Sequence, residues 1–180
     1  MGKQRKPRIV VTGPESTGKT TLAKQLAAHF GGICVPEHAR KYVENLQRPY
    51  NYKDIVAIAK EQIQRREDSL KEPDKWFIFD TDLIILKIWF EEVFVKYPEW
   101  IEKNIKKNVI DYYLLCATDI PWIDDPVREN PGAKRNYLFS RYRRELEDHG
   151  FSYFIVTGTE LTRFNNAFAA IKSFFHEVES

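Results

Sequence analysis

The most constraining feature of this sequence is a glycine-rich run at residues 13–20, GPESTGKT, which fits the pattern G-x-x-x-x-G-K-[ST]. Residues 9–11 before the run are β-branched and apolar, and apolar side chains recur after it at helical spacing, at Leu22, Leu26 and Phe30. The run therefore connects a predicted strand to a predicted helix. Glycines allow such a loop to turn successive backbone N–H groups inward, and the helix adds its positive N-terminal end. We expect this loop to bind the phosphates of a nucleotide.

Residue types within the run suggest separate roles in nucleotide binding. Lys19 is expected to reach the β- and γ-phosphates, and the hydroxyl of Thr20 is expected to bind a magnesium ion. ATP is favoured over GTP because the sequence contains no guanine-selecting N-K-x-D tetrapeptide. ATP and Mg²⁺ are therefore the predicted cofactors. The predicted ATP-binding residues are Gly13, Glu15, Ser16, Thr17, Gly18, Lys19, Thr20 and Thr21.

The composition is that of one globular enzyme domain. A chain of 180 residues with 43% hydrophobic residues can bury a substantial core, so we predict a single domain over residues 1–180. The formal net charge of +2 argues against nucleic-acid binding, and the basic residues at the start are interpreted as a solvated tail over residues 1–7. Cys34 and Cys116 lie in apolar runs, which favours buried thiols over a disulfide or a metal site. The sequence has no secretion signal and no apolar stretch of about 20 residues, which predicts a cytoplasmic protein without membrane contact.

Strands and helices are predicted to alternate along the whole chain. This alternation implies an α/β fold of the P-loop NTPase, kinase-like type, with a five-stranded parallel sheet and helices on both faces. Ligands bind at the carboxyl ends of strands in such sheets, so we expect the glycine-rich run, Glu37, Asp80 and the segment after Cys116 to converge. The predicted strands are residues 9–11, 33–35, 76–79, 112–116 and 153–156, and the predicted helices are residues 21–30, 38–46, 52–70, 83–97, 135–148 and 161–178.

Two acidic residues follow the third predicted strand. Asp80 ends that strand, and an acidic residue at this place downstream of a phosphate loop is typical of a magnesium-binding, catalytic carboxylate. Asp82 points to the same side if the chain stays extended, which favours a role in substrate binding or catalysis. The alternative for Asp82 is an N-cap of the helix predicted from Leu83. Both interpretations of Asp82 stay open at the level of sequence.

Glu37 and Arg40 are three residues apart after the second predicted strand, and they share one face if a helix begins at His38. We favour contact with the substrate or a catalytic base for Glu37, with Arg40 clamping an anion of the substrate or orienting Glu37. The alternative is a local ion pair with a small effect on stability.

Residues 119–135 have the composition of a mobile lid, with prolines, a glycine, acids and spaced basic residues, and we call them the lid. Arg128 or Arg135 is predicted to close over the γ-phosphate and to neutralise charge in the transition state. Trp122 offers a flat face for a base or a pyridine ring, with packing in the core as the alternative.

Four motifs together resemble the ribosylnicotinamide kinase domain of the NadR type. The resemblance covers nearly the whole chain, and it implies ATP-dependent phosphorylation of the 5′-hydroxyl of nicotinamide riboside, which gives nicotinamide mononucleotide for NAD salvage. It further implies that Asp80 and Asp82 serve magnesium and the substrate, that Trp122 stacks on nicotinamide and that Arg128 acts from the lid. The motifs, in order, are GPESTGKT at 13–20, PEHAR at 36–40, FDTD at 79–82 and WIDDPVR at 122–128.

The best-known members of that family also carry an adenylyltransferase domain, whose H-x-G-H signature does not occur in this sequence. We therefore expect adenylylation to be absent or to come from another chain. Two other functions remain open. One is a kinase with a different nucleoside, nucleotide or sugar as acceptor, and the other is a slow ATPase switch that acts on a protein partner. The acids and the tryptophan of the lid favour a kinase with a bound organic acceptor over the ATPase switch. The sequence leaves the oligomeric state open.

Overall fold

The structure of the protein is a computed structural model that describes residues 5–107, 109–125 and 128–179. The strands are β1 (Arg8–Thr12), β2 (Ile33–Val35), β3 (Phe77–Asp80), β4 (Tyr112–Cys116) and β5 (Tyr153–Val156). The helices are α1 (Lys19–His29), α2 (His38–Glu44), α3 (Tyr52–Leu70), α4 (Leu83–Phe94), α5 (Glu99–Lys106), α6 (Ala133–Asp148) and α7 (Glu160–Glu179). The strands pair in parallel in the order β2-β3-β1-β4-β5 and form one sheet.

The apolar strands lie between two layers of helices. Every residue of β1, β3 and β4 is buried, as expected for parallel strands that are covered on both faces. Because side chains alternate along a strand, Ile9 and Val11 of β1 pack with α1 and α7, whereas Val10 packs with α3, α4 and α6 on the opposite face. The structure confirms the predicted five-stranded parallel sheet with helices on both faces.

The helix α4 is shorter than its apolar pattern predicts. The pattern continues to residue 97, whereas α4 ends at Phe94. Val95 follows with a φ of 60°, a left-handed conformation that a β-branched side chain rarely adopts. The helix ends before Val95 because a left-handed residue cannot continue a right-handed helix.

The first described residues, Arg5 and Lys6, are exposed and form hydrogen bonds with the rest of the domain. The exposed guanidinium of Arg5 forms two hydrogen bonds of 2.7 Å with the carboxylate of Asp111. The N–H of Lys6 donates to the carbonyl of Pro73. The remainder of the predicted tail, residues 1–4, lies outside the described residues.

Within the described part of the chain, no helix combines the length and the apolarity that crossing a bilayer requires.

Both cysteines are free thiols. Cys116 is fully buried, as predicted, and burial raises the pKa of its thiol to about 11. Cys34 is half-buried.

Candidate functional site

The phosphate loop follows β1 and wraps around the N-terminus of α1. Gly13 has a φ of +131°, and a Cβ on it would lie 2.8 Å from the carbonyl oxygen of Cys116, so no side chain fits at this position. Gly18 has a φ of +75° and is the residue before α1. The two glycines allow the loop to turn tightly over the end of β4. The backbone N–H groups at the start of α1 consequently face the loop, an arrangement that suits anions.

Lys19 lies inside this loop. Its ammonium group donates a hydrogen bond of 2.7 Å to the carbonyl of Pro14, which also accepts a hydrogen bond of 2.8 Å from the hydroxyl of Thr17. Lys19 is only 8% exposed. The ammonium group of Lys19 therefore lies within the curve of the loop. This position agrees with its predicted contact with the β- and γ-phosphates.

Thr20 and Asp80 meet at the end of the sheet. The Thr20 hydroxyl donates to Oδ2 of Asp80 at 2.6 Å, and the buried Oδ1 of Asp80 has no hydrogen-bond partner among the residues that the structure describes. Burial raises the pKa of the Asp80 carboxyl, and the Thr20 hydrogen bond opposes this shift in part.

A hydroxyl next to an unpartnered carboxylate oxygen fits the oxygen-ligand preference of Mg²⁺. Among the described residues, no group of three or more His, Cys, Asp or Glu side chains could hold a metal ion. The Thr20 hydroxyl and the Asp80 carboxylate offer two oxygen ligands, and Mg²⁺ commonly takes its other ligands from water and from nucleotide phosphates.

Asp82 points away from Asp80, because the chain does not stay extended between them. Thr81 has a φ of 72°, and this left-handed residue turns Asp82 into the core. One Asp82 oxygen accepts from the N–H of Ile84 at 3.1 Å and the other accepts from the hydroxyl of Tyr113 at 3.0 Å. The expectation that both carboxylates face the same side is wrong, and Asp82 forms the N-cap of α4 that was its alternative.

Glu37 lies between β2 and α2, and it lines a cavity of about 500 Å³ that also borders the phosphate loop. It precedes α2 as its N-cap residue, but its side chain makes no capping hydrogen bond. Burial raises the pKa of the Glu37 carboxyl, and the positive charge of Lys19 opposes that shift. The predicted role of Glu37 as a catalytic base stays a prediction.

Arg40 also lines the cavity, but it does not pair with Glu37. Its guanidinium forms ion pairs with Glu44 of α2, at 2.8 Å, and with Asp125 of the lid. The alternative interpretation, a local ion pair between Glu37 and Arg40, is therefore not what the described contacts show, because Arg40 links α2 to the lid instead.

The two lid arginines differ in their surroundings. Arg128 lines the cavity, and one of its guanidinium nitrogens donates to the carbonyl of Ile123 at 2.5 Å. Arg135 is buried and donates to carbonyls of Glu15, Ser16 and Ile120. Arg128 is thus the arginine that faces the cavity, and Arg135 joins the lid to the phosphate loop.

Trp122 does not pack in the core, which was the alternative expected for it. It is half-buried, its indole N–H donates to Asp124 at 2.8 Å, and the guanidinium of Arg135 lies 5.9 Å from its ring centre. Trp122 is not among the residues that line the cavity. Its stacking on a substrate ring stays a prediction.

A cavity of about 500 Å³ extends from the phosphate loop to α4. Its far wall contains Tyr50 and Trp89, whose ring centres are 4.9 Å apart at an interplanar angle of 75°. Neither Tyr50 nor Trp89 was predicted as a site residue from the sequence. Trp89 lies at helical spacing from Ile85 and Val93, which also line the cavity. This spacing was the available signal, but it is equally typical of core packing.

The phosphate loop and the strand order define the class of this protein: it is a P-loop protein with a kinase-like α/β fold. A family model described as an AAA domain matches residues 8–163, and the chain belongs to this family. Within the class it is similar to the trifunctional NAD biosynthesis/regulator protein NadR of Salmonella typhimurium and to that of Escherichia coli, with 25% identity over 124 residues in each case. These matches cover 67% of this chain and 30% of each relative.

Solved structures give the same picture of the fold. A crystal structure of NadR in complex with NR superimposes with a TM-score of 0.80 at 24% identity, covering 94% of this chain and 51% of that chain. A deoxyadenosine kinase from M. mycoides, with the products dCMP and dCDP bound, superimposes with a TM-score of 0.63 at 14% identity. That match covers 92% of this chain and 99% of the other.

Proposed function

We propose that this protein is an ATP-dependent kinase that transfers the γ-phosphoryl group to the 5′-hydroxyl of nicotinamide riboside, which yields nicotinamide mononucleotide. One observation carries the proposal: the phosphate loop and the aromatic pair Tyr50 and Trp89 line the same cavity, with Glu37 also in its lining. A nucleoside that stacks its base against aromatic rings would direct its ribose towards the loop. The similarity to NadR, one structure of which is in complex with NR, supports the choice of acceptor.

In the proposed reaction, the acceptor hydroxyl oxygen forms a bond to the γ-phosphorus while the bond from that phosphorus to the β-bridging oxygen breaks. ADP leaves with the electron pair, and the hydroxyl proton passes to a base. Glu37 is the proposed base, because burial raises its pKa and because it is a cavity-lining carboxylate near the loop. Lys19 and Arg128 spread the charge on the transferring group.

The residues that would hold Mg²⁺ are Thr20 and Asp80, since they place a hydroxyl and an unpartnered carboxylate oxygen together. When bound, the metal supplies positive charge that neutralises the phosphates. Arg40 would contribute to the acceptor side, where it lines the cavity next to the lid.

A second candidate is a kinase with another nucleoside as acceptor. It is favoured by the similarity in fold to deoxyadenosine kinase, which shares the architecture over nearly its whole length. A slow ATPase switch is less well supported, because such a switch needs no aromatic pocket beside its phosphate loop.

The test is ADP release from Mg-ATP with a panel of acceptors: nicotinamide riboside, uridine, thymidine, deoxyadenosine and a nucleoside monophosphate. We expect strong stimulation by nicotinamide riboside alone. Stimulation by a different nucleoside would select the second candidate. Slow hydrolysis that no acceptor stimulates would contradict both kinase assignments.

A further inference from the structure

Glu15 is a carboxylate within a loop whose expected ligand is a polyphosphate, so its negative charge opposes binding unless that charge is used elsewhere. In the structure, its Oε2 accepts three hydrogen bonds from the lid. The donors are the backbone N–H groups of Glu129 and Asn130, at 3.1 and 3.0 Å, and Nδ2 of Asn130 at 3.2 Å. We propose that Glu15 is a positioning residue that fixes Arg128 beside the phosphate loop, and that its side chain does not bind ATP.

The lid residues that Glu15 contacts directly follow Arg128 in the chain. Ser16, the next residue of the phosphate loop, contacts a lid residue that precedes Arg128. The N–H of Ile123 donates to the hydroxyl oxygen of Ser16 at 2.9 Å, and the carbonyl of Ile123 accepts from the Arg128 guanidinium. Two successive residues of the phosphate loop thus hold the lid on both sides of Arg128. Such two-sided contact limits the positions that the guanidinium can take.

Arg135 of α6 contacts the backbone of Glu15 and Ser16. The buried guanidinium of Arg135 donates to the carbonyl of Glu15 at 3.1 Å and to that of Ser16 at 2.5 Å. It also donates to the carbonyl of Ile120, at the start of the lid, at 2.9 Å. Ser16 has a φ of 56°, a left-handed conformation that is unfavourable for a non-glycine residue. Arg135 stabilises this conformation, which in turn directs the Glu15 side chain towards the lid.

This proposal rests on the proposed function, since Arg128 is assigned there to the transition state. Charge-assisted hydrogen bonds are about twice as strong as neutral ones, so an amide at position 15 should hold the lid less firmly than the carboxylate. The Glu15→Gln variant keeps the size of the side chain and one acceptor oxygen. We expect it to lower kcat by about tenfold, the effect of losing roughly 1.4 kcal/mol, and to leave the affinity for ATP unchanged or higher.

The first experiment measures hydrogen exchange at the amides of residues 129 and 130 together with the equilibrium dissociation constant for ATP, both without an acceptor. In Glu15→Gln we expect exchange at these two amides to be about tenfold faster, with no loss of ATP affinity. Glu67→Gln is the matched control, because Glu67 is an exposed carboxylate on α3, and it should match the wild type. Unchanged exchange at these amides, or a tenfold loss of ATP affinity in Glu15→Gln, would overturn the proposal.

A second variant tests the same contact from the lid. Asn130→Asp places a carboxylate against Glu15, and the repulsion between the two should accelerate exchange at residues 129 and 130 and lower kcat. In the double variant with Glu15→Gln, the repulsion is removed, so both quantities should recover towards those of Glu15→Gln alone. Independent, additive effects of the two changes would contradict a direct contact. The exchange and ATP measurements need no phosphoryl acceptor, so they remain decisive if nicotinamide riboside is not the substrate.

Discussion

Asp80 and Asp82 are separated by one residue, yet their carboxylates lie in different environments. Asp80 accepts the Thr20 hydroxyl at 2.6 Å beside the phosphate loop, whereas Asp82 accepts the Tyr113 hydroxyl at 3.0 Å within the core. The left-handed Thr81 between them separates the two side chains. Variants at the two positions should therefore affect different properties of the protein.

Activity should depend on Asp80 and not on Asp82. Asp80→Asn removes a negative charge from the proposed metal site, and we expect kcat to fall by about a hundredfold or more, with a higher Mg²⁺ concentration needed for half-maximal rate. Asp82→Asn is the matched control, because asparagine caps helices about as well as aspartate. Steady-state kinetics over a range of Mg²⁺ concentrations measures kcat and the Mg²⁺ concentration for half-maximal rate in the two variants. Comparable losses in the two variants would restore a substrate role for Asp82.

The stability of the protein should depend on pH through Asp82. Burial raises the pKa of this carboxyl from 3.8 to about 6 in the folded protein. The folded protein therefore keeps a proton that the unfolded chain loses between these values. The stabilising contribution is fully present below the lower pKa and is lost as the pH rises through the higher one. The loss is about 3 kcal/mol in the free energy of unfolding.

Urea denaturation of the wild type and of Asp82→Asn, at about pH 4 and about pH 7, measures this contribution. Asparagine does not titrate, so the free energy of unfolding should fall less in the variant than in the wild type over this interval. The same fall in both proteins would show that folding does not raise the pKa of Asp82.

The aromatic wall of the cavity should control the affinity for the acceptor. Trp89→Ala removes a half-buried ring from the cavity lining, and we expect the KM for the nucleoside to rise by about tenfold while the KM for ATP changes little. Trp122→Ala is the informative comparison, since Trp122 lies outside that lining. A larger effect on acceptor KM from Trp122 than from Trp89 would mean that the lid tryptophan stacks on the substrate.

Relief of backbone strain at Val95 should stabilise the fold. Val95 is 89% exposed and left-handed, so Val95→Asn loses little burial and adopts the same backbone conformation at lower cost. We expect the free energy of unfolding to rise by about 1 kcal/mol and Tm to rise by roughly 2–4 °C in calorimetry. Val93→Asn, the same change within α4, should bring no gain. A decrease in Tm for Val95→Asn would mean that the valine side chain makes a stabilising contact.

The sequence allowed the sheet to be predicted because its strands are short apolar runs bounded by glycine, proline or charged residues. The pairing of Thr20 with Asp80 was also predictable, since both follow strands that end at the same edge of a parallel sheet. The direction of Asp82 was not predictable, because one left-handed threonine reverses it and threonine gives no sign of that conformation. The contacts of Glu15 with residues 129 and 130 were not predictable either, because these residues lie far along the chain and no local pattern reveals such contacts.

The acceptor side was harder to predict for a related reason. Trp89 lies on a helix that is apolar on most of its surface, so its spacing does not distinguish the face towards the cavity from the faces towards the core. Tyr50 lies in the connection between α2 and α3, where no periodicity applies. The pair becomes visible only when α4 packs beside that connection.

The proposed phosphorylation of nicotinamide riboside is tested most directly by quantifying both products after incubation of the protein with Mg-ATP and nicotinamide riboside. We expect one nicotinamide mononucleotide for each ADP formed, and loss of both products in a folded Lys19→Ala variant. Lys60→Ala, at an exposed lysine of α3, is the control and should behave like the wild type. ADP formed without nicotinamide mononucleotide, or turnover retained in Lys19→Ala, would contradict the proposed phosphorylation.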